Sequence, residues 1–442
     1  MLERKDKFVV AIVLLHTFAT REILNHTSTM SSLALFGIGG YVIGMVFFTY
    51  IFFIADPSKS RLAYLTRVEW PPKINKFFTA RIGVANINRL SSLSDRFLGL
   101  FYVVIVGGCW SAIFFFTYPW LDASEGYVSS YHKIMGYIVF FVCIVSWRFA
   151  SQKSPGVITA QTLEKYDNYP YDGLLFVKDR ICPTVGIPKL ARSKYDRFAG
   201  IHVSKFDHFC GWICNSVGEE NYRWFLLFLL VHVCMCAYGS FIVGHLFQHE
   251  VEKNKLWDVV YFNRVNGEEF NATAYIVFQY LFQRYKLHAA LLLMMSVMGF
   301  VLSLFLGYHI WIASRGMTTN ETAKWDQVKT WHRAELKRYK KAVKEGLVVE
   351  ESTSKGSKPP VSDGDVTCTG AAAEDKAEEE TESEKITHPG PFPKNIYNVG
   401  FVENWRDVLY PRSMRKEAIE SHRKAAKERQ GQPIDPNKSK AS

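Results

Sequence analysis

Cysteine is scarce: eight residues in 442, scattered and half of them inside apolar runs, so a disulfide-stapled secreted scaffold is excluded. No segment repeats itself, which removes solenoids and propellers. What is missing most often is charge. Leu33–Ala55 and Phe97–Tyr118 contain no charged residue, and Trp224–Phe247 and Leu287–Ala313 are interrupted only by histidines (His232, His245, His288 and His309). Each is long enough to cross a bilayer as a helix, which takes about 20 residues. The mean hydropathy near zero therefore averages long apolar runs with very polar stretches, and the chain is not one soluble globule.

Two weaker runs complete the set. Tyr131–Trp147 carries Lys133 near one end, where a lysine can snorkel to the headgroups. Phe8–Thr20 is short and flanked by basic residues, without an evident cleavage site, and reads as a marginal first span. The sequence thus predicts an α-helical polytopic membrane protein with about six transmembrane helices, near 8–22, 33–55, 97–118, 131–148, 223–247 and 287–313.

Orientation follows from basic residues. Loops 25–32 and 119–130 have none, whereas 55–96 has eight and 148–223 has eleven. Both termini and the loop between the fourth and fifth spans are expected in the cytosol. The net charge of +11 follows these membrane-flanking loops, so an anionic lipid surface is expected rather than nucleic acid.

The expected organisation is an N-terminal membrane region (1–148), a small cytosolic catalytic domain (149–222) and a C-terminal membrane pair (223–313). A juxtamembrane amphipathic helix (314–350), a disordered linker (351–388) and a C-terminal aromatic motif with a basic tail (389–442) follow. Trp325, Val328, Trp331, Leu336, Tyr339 and Val343 fall near one face of that helix, as on a helix lying on a membrane.

Within 149–222, Asp207, His208 and Cys210 supply the residue types of a thiol nucleophile, its base and an orienting carboxylate. A cysteine attacks as its thiolate and needs a histidine to take the proton, and the histidine needs an acid to fix its tautomer. An Asp-His-x-Cys tetrapeptide arises easily by chance, and most such residues simply pack.

The surrounding segments change that weighting. Ser154–Ile158, Pro188–Lys194, Asp207-His208-Phe209-Cys210 with Trp212 and Asn215 downstream, Thr318-Thr319-Asn320-Glu321, and Asn395–Gly400 with Asn404 occur in the order seen in the DHHC-type protein S-acyltransferases. The chain resembles that family over roughly residues 150–410. The wording around Tyr169–Asp172 is most similar to the branch that acts on tail-anchored SNARE-type proteins.

The resemblance implies that Cys210, His208 and Asp207 are catalytic, with palmitoyl-CoA as the acyl donor. Trp212 is then expected beside the thioester, and Arg192 and Lys194 are candidates for the CoA phosphates. Thr318, Thr319 and Glu321 would form one structural motif with Thr319 meeting the Asp207 region. Tyr397 and Asn404 would form a second that ties the C-terminus to the helices. Gly239 and Gly244 would let the helices around an acyl cavity approach closely. Substrates are expected to be membrane-anchored proteins with juxtamembrane cysteines, on an endoplasmic reticulum or Golgi membrane.

One feature departs from the family, whose members fold this loop around two zinc ions. The eight ligand positions it implies hold Cys182, Val185, Tyr195 and His202 for one site, and Asp196, Ala199, Phe209 and Ser216 for the other. Neither set supplies four ligands, so zinc is expected to be absent, and no other tightly bound cofactor or metal site is expected. Two alternatives stay open: a catalytically inactive acyl-CoA-binding pseudoenzyme of the same fold, and a small-molecule transporter. The near absence of charge in the spans argues against the transporter.

Overall fold

The computed structural model describes residues 60–124, 127–262, 267–346 and 388–420, with Phe47, Tyr50, Ile51 and Ala55. The spans expected near 8–22 and 33–55, the linker and most of the basic tail lie outside these residues.

The first described elements are α1 (Arg61–Tyr64), a π-helical turn (Leu65–Glu69), α2 (Trp70–Ile82) and α3 (Val84–Ala112). A second π turn (Ile113–Thr117) carries α3 on into α4 (Tyr118–Ala123). After α5 (Tyr131–Gln152) and the single turn α6 (Leu163–Tyr166) come two hairpins, β1 (Lys194–Asp196) with β2 (Ile201–Val203), and β3 (His208–Cys210) with β4 (Asn215–Val217). The long α7 (Tyr222–Lys253) leads to a third hairpin, β5 (Val260–Phe262) with β6 (Glu269–Asn271). Then follow α8 (Ala274–Arg284), α9 (Lys286–Ser314), α10 (Thr319–Lys344) and α11 (Phe401–Leu409).

Among the described residues, four stretches are long and apolar enough to cross a membrane: Phe97–Ala123, α5, α7 and α9. They match the four later spans expected from the sequence. Many of their large side chains, such as Phe115, Phe141, Leu230 and Phe300, are exposed on the outside of the bundle. A helix with apolar residues all round has no water-facing side, and lipid is the solvent that suits it. Gly239 allows α7 to approach α9, since a Cβ there would lie 2.3 Å from Met295 Sδ, whereas Gly244 has nothing within 4 Å and mediates no such contact.

The two small hairpins sit where α5 ends, α7 begins and α9 ends. Ile213 and Val217 from the hairpin, Ala150 from α5, Phe225 and Leu229 from α7, Ala313 from α9 and Val408 from α11 form one buried cluster. That cluster fixes the hairpin on the end of the membrane bundle.

The first half of α10 corrects the expectation of a helix lying on lipid. Trp325 and Val328 are buried, packed with Tyr169, Leu175, Phe176, Ala191 and Tyr397 of the small domain and C-terminal segment. The amphipathic period is there, but protein covers the start of the apolar stripe, while Val343 near its end is exposed.

Candidate active site

Alternation along β3 separates its residues by face. His208 and Cys210 point the same way, and Phe209 points the other way. The antiparallel register pairs His208 with Val217 and Cys210 with Asn215, so the turn 211–214 fixes the strand against its partner. Cys210 is buried and its sulfur is hydrogen-bonded with the His208 ring. His208 Nδ1 donates to Asp207 Oδ2 at 2.7 Å, and the Asp207 side chain is fully buried.

Burial alone would push the Asp207 carboxyl up, but the His208 hydrogen bond, neighbouring His309 and the Thr319 amide hold it below the usual carboxylate range. Burial likewise opposes charge on His208. The hydrogen bonds to Asp207 and Cys210 outweigh it and raise the imidazole to about 10. At neutral pH the proton therefore rests on His208, beside the sulfur.

The start of α10 explains why two threonines and a glutamate stand together. Thr318 caps the helix, accepting from the Glu321 amide at 3.2 Å while Glu321 Oε2 accepts from the Thr318 amide at 3.0 Å, a reciprocal capping box. The next free donor of the helix terminus, Thr319 N–H, points at Asp207 Oδ1 at 2.7 Å. Thr319 thus meets Asp207 through its backbone, and the helix dipole favours the ionised carboxylate.

Arg192 does not face solvent, which corrects its assignment as a CoA phosphate ligand. It is 2% exposed, and its guanidinium binds Glu321 through Nε and Nη2, both at 2.6 Å. Nη2 also donates to Gly316 O at 2.9 Å, and the Tyr169 and Tyr397 rings lie against it at 4.9 and 4.5 Å. No phosphate can reach a fork already filled on its edge and both faces. Lys194 is only half-buried, reaching Asn320 Oδ1 at 3.4 Å with its ammonium over the Phe206 ring.

The C-terminal segment closes this arrangement. Asn404 donates to Ser314 O at 2.9 Å and to Asn398 Oδ1 at 2.8 Å, and Tyr397 Oη donates to Pro170 O at 2.9 Å. Gly316 adopts φ +64°, and a Cβ there would fall 2.3 Å from Tyr397 O, so only glycine lets the C-terminal segment lie across the end of α9.

Cys210 and Trp212 stand at one end of an apolar cavity of about 590 Å³ between the spans. Its wall follows α7 from Phe225 to Ile242, a rise of about 26 Å. At the deep end His132 Nδ1 pairs with Tyr238 Oη at 2.8 Å. Methionines 235, 294, 295 and 298 line it as well, side chains that adapt their shape to an occupant. Trp212 is 43% exposed and faces Phe101.

Residues 175–326 match the family described as DHHC palmitoyltransferase. Over that stretch the chain is similar to the DHHC palmitoyltransferases. It is 31% identical over 200 residues to Palmitoyltransferase SWF1 of Yarrowia lipolytica, covering 45% of this chain and 50% of that one. It is 29% identical over 196 residues to Palmitoyltransferase ZDHHC4 of Mus musculus, covering 44% and 57%. The match to Palmitoyltransferase SWF1 of Neurospora crassa is longer, 26% over 308 residues, or 65% and 70%. The chain spans about half the length of the first two relatives.

The residues at the positions implied for zinc do not offer two complete sets of four ligands. In the first set, Val185 is exposed and cannot ligate, and His202 Nε2 is engaged with Ser193 Oγ at 2.9 Å. His202 is buried and, with Lys189 nearby, is pushed down to about 4, so it stays neutral. In the second set, Asp196 Oδ2 accepts from Ser216 Oγ at 2.5 Å, and Phe209 packs on Phe198 with ring centroids 5.4 Å apart. A hydroxyl–carboxylate bond and an aromatic pair stand where metal ligands would converge. The group of donor atoms that does converge among the described residues is Asp207, His208 and His309. It does not suit an ion between the first two, because 2.7 Å is a hydrogen-bond distance whereas two ligands on one tetrahedral zinc are about 3.4 Å apart.

His309 was not singled out from the sequence, although a signal was available. A histidine in an otherwise uncharged span is costly and marks function more often than packing. It is 1% exposed, and its ring centroid lies 5.8 Å from that of His208.

Proposed function

We propose that this protein is an integral-membrane protein-cysteine S-acyltransferase that uses palmitoyl-CoA and works without zinc. One observation carries the reading: a cysteine hydrogen-bonded to an Asp-held histidine opens onto a long apolar cavity between membrane helices. A pocket of this size and lining suits an acyl chain, and ligand pockets generally fall in the range of about 300–1,000 Å³.

With the proton on His208, the Cys210 sulfur is the nucleophile. It attacks the thioester carbonyl of palmitoyl-CoA, forming the new S–C bond. The intermediate collapses with loss of CoA sulfur, which takes the proton from His208. The acyl chain lies in the cavity and Trp212 covers the thioester. A cysteine of a membrane-anchored protein then gives its proton to His208 and attacks the acyl carbonyl, and Cys210 leaves as thiolate. Asp207 holds His208 in one orientation through both halves and stabilises its charged form.

Lys194 is the remaining candidate for the CoA phosphates at this face. We further infer six spans with the small domain and both termini in the cytosol, on endoplasmic reticulum or Golgi membranes. The substrates are proteins with cysteines next to their membrane anchors. The basic residues of 55–96 and 148–223 support that orientation. Filled hydrogen-bonding at Asp196–Ser216 and the Phe198–Phe209 pair support the zinc-free reading. The intact Cys210–His208–Asp207 set weighs against a pseudoenzyme.

The test is self-acylation of detergent-purified protein with labelled palmitoyl-CoA in the presence of a chelator. Label should appear on wild type, be absent from Cys210→Ser and be released by hydroxylamine. Folded wild type that stays unlabelled while still binding palmitoyl-CoA would overturn the reading in favour of the pseudoenzyme.

A further inference from the structure

His309 sits in α9, walled by Phe225, Phe305 and Tyr308, with ring centroids 5.1, 4.6 and 5.5 Å away. Its Nδ1 is hydrogen-bonded to Tyr222 Oη at 3.0 Å. Its Nε2 is buried and has no partner. An unpaired polar nitrogen in such a place is expensive and calls for a reason. A ring nitrogen of His309 and donor atoms of Asp207 and His208 all lie within 4.8 Å of one another. That is one water, or one small side-chain shift, from a hydrogen bond.

The titratable and polar groups facing this cluster are few: Tyr222 from α7, Tyr308 from α9 itself, Asp207, His208 and Cys210 from the hairpin, and the Thr319 amide from α10. Tyr222 can donate its hydroxyl proton to Nδ1, which fixes the tautomer with the proton on Nε2. Asp207 has lone pairs to spare after accepting from His208 and Thr319. We propose that His309 is a positioning residue of the acyl-transfer site: held by Tyr222, it presents Nε2–H to Asp207 and keeps that carboxylate seated against His208.

Asp207 then has an anchor from each of three parts of the chain. The hairpin supplies His208, the start of α10 supplies an amide, and the last span supplies His309. The membrane bundle is thereby coupled directly to the proton-carrying pair, so the acidic group cannot follow α10 alone. The inference rests on the acyltransferase reading, and its test separates the two.

The test uses the full chain in detergent and two readouts. The first is alkylation of Cys210 by iodoacetamide at pH 7, followed on the Cys210 peptide, which needs no acyl-CoA. The second is the pH profile of self-acylation with palmitoyl-CoA. A loosened Asp207 supports charged His208 less well, so His309→Ala should lower both rates about 10- to 100-fold. It should also move the alkaline limb of the acylation profile to lower pH by about one unit. His309→Gln, which keeps an N–H, should recover most of the rate, and Tyr222→Phe should show a weaker form of the same shift. Unchanged rates and profile in His309→Ala would overturn the proposal, and so would a lower rate with the limb unmoved, since that is a packing defect. If wild type is alkylated normally but never acylated, the acyltransferase reading fails. The drop in alkylation with His309→Ala then still decides the positioning role.

Discussion

The two faces of β3 differ in kind. On one, His208 and Cys210 stand together, with Asp207 held beside them by three donors or neighbours. On the other, Phe209 meets Phe198 where a metal ligand would stand, and the adjacent hairpin joins Asp196 to Ser216. Successive residues of a strand share a backbone but not a neighbourhood. One face can therefore trade metal bonds for packing while the other keeps its geometry, provided the hairpin register holds. The lesson is that an apolar pair and a hydroxyl–carboxylate bond can hold a hairpin in place beside a polar cluster.

The sharpest way to break this comparison is to damage each face separately. Asp207→Asn keeps the shape and loses the charge that orients and stabilises His208. It should lower self-acylation by about 10³-fold with little change in melting temperature. A variant that fails to fold would contradict the separation of the two faces.

Next in size is the buried pair that supports the catalytic face from behind. Arg192→Ala strands Glu321 as an unpaired buried charge and should destabilise the protein by about 3–5 kcal/mol. Replacing both with apolar residues of similar volume should return much of that loss in thermal unfolding. Arg192→Lys should leave the KM for palmitoyl-CoA unchanged in whatever fraction folds. A large rise in KM would restore the phosphate role that the geometry removes.

Phe209→Ala should cost about 2 kcal/mol, because the ring is only half-buried, and lower the melting temperature. Its acylation rate per folded molecule, and the insensitivity of that rate to chelator, should be those of wild type. Metal analysis showing stoichiometric zinc in wild type would undo the comparison at its root.

A further effect is in the pH dependence of stability. The His208 value rises from 6.5 in the unfolded chain to about 10 in the folded one, so the folded state binds the proton more tightly. The resulting stabilisation is fully present below pH 6.5 and is lost as pH rises towards 10. Thermal melts across that window should show a decline that flattens in His208→Gln.

How much of this was legible in the sequence depends on whether a residue's role is set by its own chemistry or by what covers it. The four later spans could be read because a charge-free run of that length has few alternatives, and the clustering of Asp207, His208 and Cys210 because they lie within four positions of one another. Arg192 could not be read: an arginine in a loop looks the same whether it waits for a phosphate or, as here, closes on Glu321 from a helix 129 residues away. The start of the α10 stripe, Trp325 and Val328, was misassigned for the same reason, since periodicity gives an apolar face without its partner. His309 was visible as an oddity in an apolar run, but only the folded chain brings it beside Asp207.

The fold also sets a timetable. Asp207 needs the amide of Thr319, Glu321 needs Arg192, and the end of α9 needs Asn404, while Ser413 reaches back to Glu219 at 2.9 Å. A ribosome delivers Cys210 long before any of the later partners. While the chain is still being made, the thiol is present but the groups that surround it in the folded protein are not. The full set of these contacts forms only after residue 413 has emerged and docked, so an incomplete chain carries Cys210 without its finished surroundings.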